Sequence, residues 1–235
     1  MTTATKVLQV PNEFPSPEIL QALCERFKTA RLRALREDPS AFSSKYETES
    51  QFENAFWAKR LQNPLAKTFA AVRTTTEVDC PAQTEDNDLE LLARNEWLGM
   101  VVLLGPRALA ADGTESNAPW RPFLPPADPN QPPDTESIAG SEAAYLAVSM
   151  FVLAEARKQG LGGRIIEKSV EVVRQEAKSL GASRLSVCLL VEPDNGTAQR
   201  LYERCGFVFL PADPVLKETV NTEEKGMRKV VSLED

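Results

Sequence analysis

The chain reads as an α/β protein built around a parallel strand pair joined by one crossover helix, and three observations carry that reading. An apolar run of strand length, Tyr145 to Val152, leads into the glycine-rich stretch Arg157-Lys158-Gln159-Gly160-Leu161-Gly162-Gly163. A long amphipathic pattern follows at once. Leu161, Ile165, Ile166, Ser169, Val170, Val173, Ala177 and Leu180 recur at three- and four-residue steps, with Arg164, Glu167, Lys168, Glu171, Arg174 and Lys178 between them, so one helix face is apolar and the other wet. Gly181 stands where a left-handed C-terminal residue is wanted, and Lys178 complements the helix dipole in the last turn. Arg184 to Val191 then supplies a second, mostly apolar strand. Strand, crossover helix, strand makes a parallel pair.

The elements ahead of this unit are read in order. Ser16-Pro17-Glu18 is a helix start with proline in the first turn, and Ile19, Leu20, Leu23, Phe27, Ala30 and Ala34 form its buried stripe before Pro39. A second helix carries Phe52, Phe56, Trp57 and Lys59 and closes at Pro64. Thr68 to Arg73 and Glu96 to Leu104 read as strands. Two segments are expected as insertions in a single domain spanning residues 1–235. Residues 74–95 are polar and acidic, with Glu77, Asp79, Glu85, Asp86, Asp88 and Glu90, and read as an exposed excursion. Residues 105–140 hold eight of the 17 prolines and read as a long loop, because proline at this density excludes helix interiors and central strands. Trp120-Arg121-Pro122-Phe123 is its part expected to be ordered, either packed on the surface or shaping an acceptor pocket.

A glycine loop between a strand and a helix is suited to phosphate. Glycine lets the backbone turn tightly and approach a ligand, and the first N–H groups of the next helix have no intrahelical acceptor. Three loop types compete. A dinucleotide fold wants G-x-G-x-x-G and an acid about 20 residues on. Here position 165 is Ile, and the second strand closes in Leu190-Val191. A Walker loop wants Gly-Lys-Ser/Thr, and this one reads Gly-Gly-Arg.

What remains is R-x-x-G-x-G at a strand end, and a second motif follows. Asn195-Gly-Thr-Ala198-Gln-Arg-Leu201-Tyr202-Glu-Arg-Cys-Gly206-Phe207 has its own physical logic: Asn195 caps a helix, Ala198 and Leu201 face inward, and Gly206 ends it before Phe207 opens a strand. Together the two motifs resemble the GCN5-related N-acetyltransferase (GNAT) superfamily, whose signature N-x-x-A-x-x-L-Y-x-x-x-G-F is matched at every named position. The resemblance covers about half of the chain closely. It implies a GNAT acyltransferase fold: a mixed, mostly antiparallel sheet with a parallel, splayed central strand pair, flanked by helices.

The resemblance also implies an acetyl-CoA-dependent N-acetyltransferase that moves an acetyl group to a primary amine by direct attack in a ternary complex. It places the pyrophosphate of acetyl-CoA on Arg157, Lys158, Gln159, Gly160, Leu161, Gly162 and Gly163. Asn195 falls beside the pantetheine arm, the oxyanion donors fall on the backbone of Met150, Phe151 and Val152, and Tyr202 is the acid for the leaving thiolate. Plainer readings stand beside these. Asn195 is an N-cap under either, Tyr202 is otherwise a groove-filling aromatic, and Arg157 and Lys158 are otherwise a solvated strand end.

The general base departs from the family pattern. The first strand of the pair offers only Tyr145 and Ser149 as polar side chains, and Leu190 stands where some members carry Glu. Glu96, Glu155 and Glu192 remain as candidates. That gap keeps a second reading open, a CoA-binding protein of the same fold that senses or recruits without turnover.

Composition sets the remaining bounds. At 235 residues and 42% hydrophobic the chain supports one substantial core. No run is long enough for a membrane span and Met1 to Val10 lacks a signal-peptide core, so a cytoplasmic location without membrane association is expected. Cys24, Cys80, Cys188 and Cys205 show no paired spacing and the chain has no His, so neither a metal site nor an activated thiol nucleophile is expected. A net charge of −7 argues against nucleic acid and favours a cationic acceptor, a small or peptidyl amine.

Overall fold

In the computed structural model, which describes residues 3–75, 85–109, 117–124, 132, 135–214, 216 and 223–234, the chain forms a seven-stranded mixed sheet with flanking helices. The strands are β1 (Thr3–Val10), β2 (Ala66–Thr75), β3 (Trp97–Leu109), β4 (Glu142–Val152), β5 (Arg184–Val191), β6 (Val208–Phe209) and β7 (Lys225–Val231), in the order β1-β2-β3-β4-β5-β7-β6. β4 and β5 pair in parallel, as the crossover predicts, while β1 with β2, β5 with β7 and β6 with β7 are antiparallel. The helices are α1 (Pro17–Glu37), α2 (Tyr46–Glu49), α3 (Asn54–Leu61), α4 (Glu85–Arg94), α5 (Thr135–Ile138), α6 (Leu161–Ser179) and α7 (Gly196–Arg204). The contacts divide the chain into two compact units, Met1–Val102 with Ser149–Ile165, and Leu103–Val148 with Ile166–Asp235.

In the first unit, α1 starts as the sequence predicts. Ser16 caps it, its hydroxyl accepting from the Ile19 N–H at 3.4 Å, and Pro17 takes the first position. Its buried stripe Leu23, Phe27, Ala30 and Ala34 meets an aromatic cluster in which Phe27 lies edge-on to Trp57 and Trp97 at 5.9 and 6.2 Å. Arg31 is also buried, paired with the buried Glu49 at 2.8 Å.

Two expectations for the N-terminal part are corrected. The acidic stretch 74–95 is more than an excursion, because α4 forms within it and buries Leu92. Its last carbonyls are satisfied from elsewhere: Arg26 donates to Ala93 and Arg94 at 3.0 Å each, and the Trp97 indole donates to Leu92 at 2.9 Å. Glu77, Asp79 and Cys80 lie outside the described residues. β1 was not anticipated; it is an edge strand whose eight residues all pair with β2.

In the second unit, each face of the sheet has its own cover. Tyr145 on β4 and Val187 on β5 are register partners, as are Val187 and Lys229 on β7. The Tyr145 hydroxyl donates to Glu176 of α6 at 2.8 Å, and Lys229 donates to the Cys205 carbonyl at the end of α7 at 2.6 Å. This is the helical face. On the other face Leu146, its partner Cys188, and Gly226 opposite Leu190 pack beneath Trp120.

Within 105–140 the Trp120–Phe123 stretch is ordered, as expected, and Trp120 packs into the core and not merely on the surface. It is fully buried, its indole N–H donates to Asp213 at 3.0 Å, and Arg121 pairs with the same carboxylate at 2.8 Å. The indole occupies the space above Gly226, where a Cβ would stand 2.1 Å from the ring. The insertion also begins later than expected, since β3 continues to Leu109 through Pro106. Gly105, at φ 143, supplies the bend that admits a proline there. β7 was likewise not anticipated.

Candidate active site

The parallel pairing of β4 and β5 runs from Glu142 with Arg184 to Ala147 with Leu189. Two residues beyond its end Ser149 takes φ 56, a left-handed conformation inside a strand. Nothing in the local residue types signals that kink. A non-glycine residue held there costs roughly 1–3 kcal/mol and persists only where its surroundings over-determine it. Met150, Phe151 and Val152 complete the strand, and the Leu153 N–H donates to the Leu98 carbonyl at 2.8 Å.

The predicted phosphate loop has the backbone for that task. Lys158 and Gly160 are at φ 60 and 73, and the Arg164 N–H makes the first helical bond, to the Gly160 carbonyl at 3.2 Å. The N–H groups of Leu161, Gly162 and Gly163 lie ahead of that bond, where a helix offers no acceptor. A Cβ at Gly160 or Gly163 would meet nothing within 4 Å, so the space beside the loop is open to a ligand. This donor set and this room fit a pyrophosphate. Lys158 and Gln159 are exposed on the loop. Arg157 is engaged within the protein: Nε donates to the Val152 carbonyl at 2.8 Å, Nη2 pairs with Asp38, and the guanidinium lies 5.7 Å from the Phe151 ring centroid. It braces the loop against the strand that delivers it.

A cavity of about 430 Å³ opens beside the start of α6, walled by Thr5, Arg73, Glu155, Gln159, Leu161 and Arg164. Arg73 and Arg164 had no motif to announce them. Arg164 donates to the Thr5 carbonyl at 3.3 Å.

Of the three candidate bases, two converge on one cation. Arg33 holds Glu96 at 3.0 Å and Glu155 at 2.8 Å. A hydrogen bond from its own backbone, then the Arg33 guanidinium, hold the Glu155 carboxyl below the usual carboxylate range. Glu192 is half-buried at the end of β5, its carbonyl accepting from the Asn195 N–H at 3.1 Å and the Gln199 amide at 3.0 Å.

In the second unit, Asn195 caps α7, its side-chain oxygen accepting from the Ala198 N–H at 3.0 Å. Tyr202 is buried with its ring 5.8 Å from Phe207. Burial pushes its phenol up, so the hydroxyl keeps its proton at neutral pH. The thiols are placed as packing groups: Cys188 is buried and Cys24, Cys188 and Cys205 are free, each with its pKa raised by burial, Cys24 to about 11. Among the described residues no cluster of acidic, cysteine or histidine side chains is arranged to hold a metal ion, and no helix is long and apolar enough to cross a membrane.

Residues 134–209, which hold β4, the glycine loop, α6, β5 and α7, match the family model described as an acetyltransferase (GNAT) domain. That stretch resembles a GNAT acetyltransferase domain, the class its two motifs indicate. The chain is similar over 97% of its length to three solved structures. NAA60 of Arabidopsis thaliana in complex with a bisubstrate analogue is 16% identical (all of that chain, TM-score 0.47). A GNAT-family acetyltransferase of Staphylococcus aureus Mu50 is 10% identical (99%, TM-score 0.49). The GNAT domain of S. lividans PAT is 13% identical (90%, TM-score 0.49). No curated protein is a detectable sequence relative.

Proposed function

We propose that the protein is an acetyl-CoA-dependent N-acetyltransferase that acetylates a small or peptidyl primary amine by direct attack in a ternary complex. The observation that carries this reading is the match of residues 134–209 to the acetyltransferase domain, in which the loop and the Asn195–Phe207 motif stand in the order the chemistry needs.

Acetyl-CoA, when bound, supplies the acetyl group as a thioester. The backbone N–H groups of Leu161, Gly162 and Gly163 hold its pyrophosphate at the start of α6, with Lys158 adding charge. Asn195 orients the pantetheine arm while it caps α7. The N–H groups of Met150, Phe151 and Val152 donate to the carbonyl oxygen as negative charge develops there, in the part of β4 beyond its pairing with β5, which ends at Ala147. Tyr202 gives its phenolic proton to the departing sulfur as the new C–N bond forms and the C–S bond breaks, and recovers it from solvent. The Glu96 and Glu155 carboxylates are engaged by Arg33, so the incoming amine loses its proton to water or to Glu192, the remaining candidate.

That engagement also favours a second reading, a non-catalytic CoA-binding module. Release of CoA thiol from acetyl-CoA, followed against a panel of primary amines, separates the two. Amine-dependent release supports the enzyme, and calorimetric binding without release supports the module.

A further inference from the structure

The face of the sheet opposite α6 and α7 carries an apolar basin. β4 and β5 stop pairing after Ala147 and Leu189, and the next residues on that face, Val148 and Leu190, are half-exposed. Both pack on the cluster anchored by the fully buried Trp120. Phe123 and Leu124, three and four residues beyond Trp120, pack on the same cluster and are also only half-buried, as is Leu210 after β6. Five large apolar side chains thus share one partly open surface where the parallel pair parts. The insertion is held there firmly: Asp213 takes hydrogen bonds from the Trp120 indole and from Arg121, and Gly226 leaves the space the indole fills.

Resting on the acetyltransferase reading, we propose that Phe123, Leu124, Val148 and Leu190 form the acceptor pocket and select amines whose carbon skeleton next to the nitrogen is apolar. Three observations choose this occupant. The body of α6 at Glu176 and the end of α7 at Cys205 meet the opposite face of the sheet, so neither helix fills this basin. Val148 leads directly into Ser149 and the Met150–Val152 backbone that would receive the carbonyl oxygen. Among the described residues the basin offers aliphatic and phenyl surface, which rewards an apolar group. The net charge of −7 attracts the ammonium form to the protein at long range, and the basin then discriminates by what surrounds the nitrogen.

The test compares leucinamide, phenethylamine and glycinamide as acceptors for the full-length protein. Leucinamide and phenethylamine are expected to exceed glycinamide in kcat/KM by about tenfold or more, through KM. Phe123→Ala and Leu124→Ser should collapse that ratio toward one, with an unchanged melting temperature as the check on folding. Calorimetric binding of leucinamide, which needs no turnover, separates this proposal from the reading beneath it. If leucinamide binds and Phe123→Ala abolishes the binding while no amine releases thiol, the pocket stands and the acetyltransferase reading falls. If thiol is released with equal efficiency for all three amines, or the variants leave the ratio intact, the pocket is overturned. A change in the preference for butyryl-CoA over acetyl-CoA in Phe123→Ala, at constant acceptor ratio, overturns it in favour of an acyl-chain site.

Discussion

A single nitrogen of Arg33, Nη2, donates to both carboxylate oxygens of Glu155, at 2.8 and 3.0 Å. The same guanidinium donates through Nη1 to Glu96 at 3.0 Å and through Nε to Glu37 at 2.5 Å. Two carboxylates that could have served as bases thus surround one cation. Glu155→Gln and Glu96→Gln are each expected to keep kcat within about threefold, where loss of a working general base costs 10²–10⁴. The rise of kcat/KM with pH should follow the acceptor, moving when an amine of different basicity is used. A profile that stays fixed between two amines places the ionisation on the protein.

Gly162 lies in the first turn of α6 and is not at positive φ, so valine is tolerated there by the backbone. With the pyrophosphate seated on this loop, as proposed, the added bulk would crowd it. A Gly162→Val protein that still folds should bind acetyl-CoA tenfold or more weakly, about 1.4 kcal/mol. Calorimetry that returns the wild-type affinity removes the phosphate from this loop.

Tyr202 is buried against Phe207, so phenylalanine preserves the packing and removes only the hydroxyl. Tyr202→Phe should lower kcat by roughly 10- to 10⁴-fold and leave the acetyl-CoA dissociation constant nearly intact. Normal turnover per folded molecule with a lower melting temperature would make Tyr202 a packing residue.

Legibility along the chain follows how local the causes are. α6, β5 and α7 could be read because each carries its own period and punctuation: Gly160 before α6, Gly181 after it, Asn195 and Gly206 around α7. β1 and β7 could not. β7 reads KGMRKVV, with its charges interleaved, and its existence rests on the pairing of all seven residues with β5. Ser149 has no local signature because its kink arises where two strands part. α4 was hidden by its acids, since Leu92 alone among its described residues is fully buried. The burial of Trp120 depends on Gly226 and Asp213, both distant in sequence. In the site the loop and the capped helix were legible, whereas the engagement of Arg157 with Asp38 and of Glu155 with Arg33 came only with the fold.

The buried Glu142 provides a pH prediction. Burial alone would push its carboxyl up, but Ser186, Arg228 and Arg184 outweigh it and hold the group below the usual range. A carboxyl with a depressed folded pKa stabilises the fold fully above its unfolded value, about 4.3, and the contribution is lost as pH falls through the folded value. Glu142→Ala removes the carboxylate that pairs with both Arg184 and Arg228 and should destabilise the protein near neutrality. Thermal unfolding of both proteins from pH 7 to pH 2 should show the gap narrowing at the acid end. A constant gap assigns the loss to packing.

The contact of Gly226 with Trp120 predicts a coupling. Gly226→Ala puts a methyl 2.1 Å from Cη2 and 2.2 Å from Cζ3 of the indole, and neither can yield without moving the ring out of its fully buried site. Overpacking of this kind costs about 1–3 kcal/mol. The displaced ring also gives up its hydrogen bond to Asp213, and tryptophan fluorescence should shift to the red as indole meets water. Trp120→Leu removes the obstacle at its own cost, and alanine is a better strand residue than glycine. In that background Gly226→Ala should therefore cost nothing or stabilise, so the double variant is more stable than the sum of the two losses. Strict additivity would mean that the indole does not occupy the space above Gly226, and the anchoring of the insertion on the sheet would fall with it.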